Sequence, residues 1–102
     1  MTSEGQSKTV RVRITGRVQG VFFRAWTVEE AARRGLKGWV RNRRDGTVEA
    51  VFSGPGRSVD DMVAACRRGP PASDVDEVLI APLDEGAAET AVGPGFRTLP
   101  TV

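Results

Sequence analysis

At 102 residues the chain has the length of one small domain, and its apolar share of 39% suffices for one two-layer core. It has no histidine and a single cysteine, Cys66. That excludes an imidazole base, a Ser–His or Cys–His pair, an intramolecular disulfide and a cysteine cluster for a metal. The formal charge of +2 does not by itself direct the chain to nucleic acid, and no apolar run is long enough to cross a bilayer.

The polar start, Met1 to Ser7, lacks the apolar centre of a signal peptide. It reads as a disordered tail (1–7) ahead of one domain (8–102), and the expected compartment is the cytoplasm. Lys8 to Thr15 alternates with a period of two, Val10, Val12 and Ile14 against Arg11, Arg13 and Thr15, which predicts a half-buried strand. Gly16-Arg17-Val18-Gln19-Gly20 breaks that pattern. A helix is expected from Val21 or Phe22 to Arg34, with Phe22, Ala25, Val28 and Ala32 as its apolar stripe. Arg33 and Arg34 suit its negative end, and Gly35 suits a left-handed residue beyond it.

Lys37 to Asn42 predicts a second strand, Asp45-Gly46 a turn, and Thr47 to Ser53 the return strand with Val48, Ala50 and Phe52 on one face. Ser58 is a candidate cap for a second helix, whose stripe is Val59, Met62, Val63 and Cys66. Gly69-Pro70-Pro71 ends it. Asp74 to Leu83 reads as a strand, Pro82 arguing for an edge. Asp84 to Pro94 reads as a loop and Phe96 to Leu99 as a short last strand, with Thr98 where an apolar residue is expected. The order β-α-β-β-α-β with one extra strand predicts an α+β, ferredoxin-like split β-α-β sandwich. Two helices would cover one face of a four- to five-stranded antiparallel sheet.

Two segments could carry chemistry. Gly16 to Arg24 joins a strand to a helix start. Its glycines allow successive amides to turn inward as an anion nest, and Arg24 could return a two-pronged guanidinium to the same anion. A tight turn with surface arginines explains the same spacing. Asn42, at a strand end, has an amide able to position a water beside a phosphoryl group, and an asparagine that starts a turn is the plainer reading. The arginine-rich basic set suits anion recognition, and the codon bias of a GC-rich genome explains the same skew. Arg41, Arg43 and Arg44 are either a solvated surface or a steering patch for anions. Cys66 lies on an apolar stripe and reads as core; Trp26 and Trp39 read as packing.

Taken together, Gly16 to Arg24, the helix ending Gly35-Leu36, and Gly38-Trp39-Val40-x-Asn42-x-x-Asp45-Gly46-x-Val48-Glu49 resemble the acylphosphatase family. Gly54-Pro55, Cys66-Arg67-Arg68-Gly69-Pro70 and Val75-x-x-Val78 are similar to it as well. The resemblance runs from Val10 to about Leu99 and implies hydrolysis of acyl phosphates by direct attack of water, with neither metal nor cofactor. The family's arginine falls on Arg24 and its asparagine on Asn42. Its phosphate loop falls on Arg17, Val18, Gln19, Gly20, Val21, Phe22 and Phe23. The implied partners are an acyl phosphate and inorganic phosphate, for a monomer that binds neither nucleic acid nor membrane. A ferredoxin-like RNA module would need aromatic platforms where Arg11 and Arg13 stand. A regulatory domain that binds an anion without turnover differs from the enzyme only in turnover.

Overall fold

The computed structural model describes residues 6–83 and 93–102. Its elements are β1 (Ser7–Arg17), α1 (Phe23–Arg33), β2 (Lys37–Asn42), β3 (Val48–Pro55), α2 (Gly56–Arg68), β4 (Asp74–Pro82) and β5 (Phe96–Thr98). The first five residues of the expected tail, and most of the expected loop from Asp84 to Pro94, lie outside the described residues. Ser7 already belongs to β1, and the Gly56 amide donates to Gln6 O at 2.8 Å. Among the described residues no helix is long and apolar enough to cross a membrane.

The alternation read from β1 holds: Val10, Val12 and Ile14 are buried beside Val48, Ala50 and Phe52 of β3, with which β1 pairs antiparallel. The sheet order is β4-β1-β3-β2-β5. Since β3 lies antiparallel between β1 and β2, those two strands point the same way and end at the same edge of the sheet. This edge receives both motif segments, the loop after β1 and Asn42 at the end of β2.

The sheet is mixed, contrary to the expectation of a purely antiparallel one. β5 pairs parallel with β2, Gly38 opposite Phe96 and Val40 opposite Thr98. Direction explains this. β4 ends with Pro82 beside Val10, near the start of β1, and β5 begins with Phe96 beside Gly38, near the start of β2. A chain that leaves and re-enters at one edge must run upward again, as β2 does. Phe96 then stacks on Phe52 at 5.5 Å between ring centroids.

Both helices cover the Val12–Ile14 face. In α2 the stripe Val59, Met62, Val63 and Cys66 is buried as expected, and burial pushes the Cys66 thiol up to about 12. Its start differs: Pro55 occupies the cap position without a side-chain hydrogen bond, so Ser58 lies inside the helix and caps nothing. In α1 the buried residues are Phe23, Thr27 and Ala31; of the expected stripe only Val28 packs, half-buried, against the core, while Phe22, Ala25 and Ala32 are exposed. Phe22 is left-handed (φ 62°, ψ 26°) and outside the helix, so the first inward position is Phe23. Thr27 is tolerated there because its hydroxyl donates to Phe23 O at 2.8 Å. At the other end Gly35 (φ 70°) and Leu36 donate to the Ala32 and Ala31 carbonyls, closing a Schellman motif.

On the helix-free face Glu49, 3% exposed, accepts hydrogen bonds from Arg41 Nε and Arg43 Nη1, both at 2.9 Å. Burial pushes its carboxyl up, but the two guanidinium groups outweigh burial and hold it below the usual range. A carboxyl so depressed adds stability above its unfolded pKa, near 4.3, and loses it as pH falls through the lower folded value. Glu49→Gln should cost about 1–3 kcal/mol at pH 7. It should also flatten the fall in unfolding midpoint between about pH 5 and pH 2. The depressed carboxyls of Glu30 and Asp45 retain part of that slope. Urea titrations across this range check it, and an undiminished acid slope in the variant would remove Glu49 from the account.

Candidate active site

A register shift between Thr15 and Gly16, where β1 pairs with β4, turns the chain out of the sheet. Gly16 is required there. At φ 113° a Cβ would lie 2.3 Å from Asp74 O and 2.7 Å from Asp76 N. The loop that follows is closed by one side chain: Gln19 Nε2 donates to Arg43 O at 2.7 Å and to Thr47 O at 2.9 Å. This strap ties the loop to the β2–β3 turn. The turn is itself set by Asp45 Oδ1, which accepts from the Thr47 amide and hydroxyl.

The sheet edge opens into a cavity of about 490 Å³. Val18, Gly20 and residues 22–25 form one side, Asn42 and Thr98 the other. Gly20 (φ 75°) and Phe22 take left-handed conformations in close succession, which turns the backbone around the cavity. Among the described residues, none accepts a backbone hydrogen bond from the amides of residues 19–25. Those of residues 23–25 are the unpaired donors at the start of α1, where the helix dipole is positive. Phe22 carries two costs: a left-handed aromatic residue is strained by about 1–3 kcal/mol, and its ring is 85% exposed.

Arg24 lies in the first turn of α1 and lines the cavity. Of the described arginines that are half-buried, it alone has no carboxylate partner. Arg13 pairs with Asp45, Arg34 with Glu30 and Asp61, and Arg41 and Arg43 with Glu49. Across the cavity Asn42 shares the helix-facing side of β2 with Val40, and its Oδ1 is buried with no hydrogen-bond partner. Such an acceptor costs about 1–3 kcal/mol until a donor outside the chain reaches it. A turn about χ2 presents either end of the amide to the cavity. Positive donors on one side and an unfilled polar amide on the other make a site for an oxyanion and a water.

The cavity therefore unites Val18, Gly20, Phe22, Phe23, Arg24 and Asn42 from the sequence reading. Arg17 is exposed at the end of β1 and lines no part of it, and Val21 lines a neighbouring groove. The side chain of Gln19 points to the β2–β3 turn, leaving its amide to the loop. Thr98, which the sequence reading passed over, joins the cavity through the parallel pairing of β5 with β2. Its polar side chain at a position expected to be apolar was the available signal. Arg44 is exposed, with its amide donating to Val102 O at 2.7 Å.

Residues 10–97 match the family model described as Acylphosphatase. An acylphosphatase of Rhizorhabdus wittichii is 54% identical over 92 residues, spanning 90% of this chain and 88% of that protein. One from Nitrobacter hamburgensis is 56% identical over 94 residues, 90% and 94% of the two chains. The crystal structure of the acylphosphatase from Bacillus subtilis superposes with a TM-score of 0.79 at 35% identity, covering 89% of this chain and 97% of that one.

The Gln19 strap gives a prediction of its own. Gln19→Ala removes two hydrogen bonds and should cost about 1–2 kcal/mol of stability. It should also weaken binding of inorganic phosphate by about five- to tenfold, because the loop amides are no longer held in one arrangement. Calorimetric titration with phosphate checks this; an unchanged affinity would mean that the loop keeps its shape without the strap.

Proposed function

We propose a division of labour at this cavity from one premise: the chain belongs to the acylphosphatase family, and it hydrolyses acyl phosphates to a carboxylate and inorganic phosphate. On our reading the phosphoryl group lies in loop 17–23 against the start of α1, with two of its oxygens on the Arg24 guanidinium. Asn42 holds the attacking water on the opposite side. The observation that carries the reading is that Arg24, half-buried and with no carboxylate partner among the described residues, lines the same cavity as Asn42, whose Oδ1 has no hydrogen-bond partner.

The chemistry asks for little more. Water oxygen bonds to phosphorus as the bond from phosphorus to the bridging oxygen breaks. The carboxylate leaves with the electron pair, and the proton of the water passes to the phosphate product or to solvent. The leaving group has a conjugate-acid pKa of about 4, so no general acid is needed. The transition state is loose, with charge spread over the equatorial oxygens, and fixed donors around them supply most of the stabilisation. Asn42 sets the angle of approach, a matter of positioning and not of basicity. A chain without histidine can perform every step.

We read the enzyme as a cytoplasmic monomer that binds no nucleic acid. The sheet edges support the first part. β4 carries Asp74, Asp76, Glu77 and Pro82, and β5 is three residues long, features that discourage edge-to-edge pairing. Against nucleic acid stands the pairing of Arg41 and Arg43 with the buried Glu49 on the outer face. Trp39 is only 7% exposed beneath Arg41 and offers no open ring for a base.

Asn42→Ala should lose turnover of benzoyl phosphate by a factor on the order of 10²–10³. Its inhibition constant for inorganic phosphate should stay near the parent value, because the amide contacts water and not the bound anion. Equal losses in both would make Asn42 a binding residue. The parent reaction, followed by the loss of benzoyl phosphate absorbance, should proceed undiminished in excess EDTA. Activity lost to the chelator and restored by Mg²⁺ would overturn the metal-free reading.

A further inference from the structure

Phe22 is the wall between two hollows. On its far side from Asn42 lies a groove of about 360 Å³, lined by Val21, Trp26, Pro70, Pro71 and Ala72, with Phe22 and Ala25 shared with the catalytic cavity. The walls are fixed in place. Trp26 meets Phe23 edge-on at 5.3 Å between centroids, and the Ser73 amide and hydroxyl both donate to Pro70 O. Neither Asn42 nor Thr98 borders the groove. One turn along α1 from Ala25 stands the exposed carboxylate of Glu29, which does border it.

We infer that this groove receives the acyl group of the substrate and selects neutral, apolar acyl phosphates, aromatic ones included. The inference rests on the placement of the phosphoryl group in loop 17–23 and on Arg24. An acyl phosphate has a charged phosphoryl end and a carbon end joined by one bridging oxygen, and in-line displacement puts the leaving group opposite the water. With the water at Asn42, on the β2 and β5 side, the acyl group departs toward the α1 and β4 side, where the groove lies. An exposed aromatic ring held in a strained conformation at the lip is then a contact surface for that carbon end. Glu29 disfavours an acyl chain that carries a second carboxylate.

The test is the ratio of kcat/KM for benzoyl phosphate to that for acetyl phosphate, measured on the parent, Phe22→Gly and Ala72→Asp. Phe22→Gly removes the shared wall at a backbone position that glycine adopts without strain, so it should unfold no earlier than the parent. Ala72→Asp puts a charge into the groove from an exposed position that does not line the catalytic cavity. Both should lower the ratio by about tenfold, the low end of what an apolar pocket discriminates. In Ala72→Asp the inhibition constant for inorganic phosphate should also match the parent. An unchanged ratio, or equal losses on both substrates, overturns the groove assignment. Arg24→Ala separates the two levels of the argument. If it keeps turnover of both substrates, the phosphate placement itself fails. If it is inactive on both while the groove variants leave the ratio unchanged, only the groove is wrong.

Discussion

A guanidinium that is partly withdrawn from water without a carboxylate beside it is costly to maintain, and the rest of the site is arranged around that fact. Elsewhere in the described chain the half-buried arginines are paired, Arg41 and Arg43 with one buried glutamate and Arg34 with two carboxylates. Arg24 has been left with unpaired amides for company, at the positive end of a helix, so that positive potential accumulates in the cavity. An anion that enters finds donors already oriented. That is the condition under which electrostatic stabilisation of a transition state is largest, since nothing must reorganise during the reaction.

The fold supplies the geometry by direction alone. β1 and β2 point the same way because β3 runs antiparallel between them, and β5 adds a third strand end at the same edge. Residues 24, 42 and 98 are far apart in sequence and meet for that reason. Gln19 then spans the edge from the loop to the β2–β3 turn, and the turn continues through Arg43 to Glu49 on the opposite face of the sheet. The buried carboxylate and the loop after β1 are thereby linked, although neither touches the other.

Most of this was legible in the amino-acid sequence where a period or a turn signal was strong. The alternation of Val10, Val12 and Ile14, the limits of β2, the α2 stripe and the edge position of β4 were read correctly because each follows from local pattern. The errors share a cause, which is that backbone conformation at one residue or pairing at long range overrode local pattern. Phe22 in a left-handed conformation left the first inward position of α1 to Phe23, and a buried threonine filled a position that hydrophobicity alone would not assign. Pro55 opened α2 ahead of Ser58. The parallel pairing of β5, and with it the arrival of Thr98 at the cavity, depends on where β4 ends, which no local pattern in β5 encodes. Arg24 and Asn42 could be singled out only together, since either motif alone is an ordinary turn.

The account turns on Arg24 gripping two phosphoryl oxygens at once, and the most direct measurement compares Arg24→Lys with Arg24→Ala, using turnover and thermal unfolding on the same samples with and without phosphate. A lysine keeps the charge but replaces a planar fork with a compact ammonium. Arginines that stabilise a transferring phosphoryl group contribute on the order of 10³–10⁵ in rate. Both variants should therefore be almost equally inactive, and both should stay folded, since Arg24 faces an open cavity and pairs with no carboxylate among the described residues. If Arg24→Lys keeps a tenth or more of the parent turnover, or if both variants unfold, the two-pronged grip is contradicted.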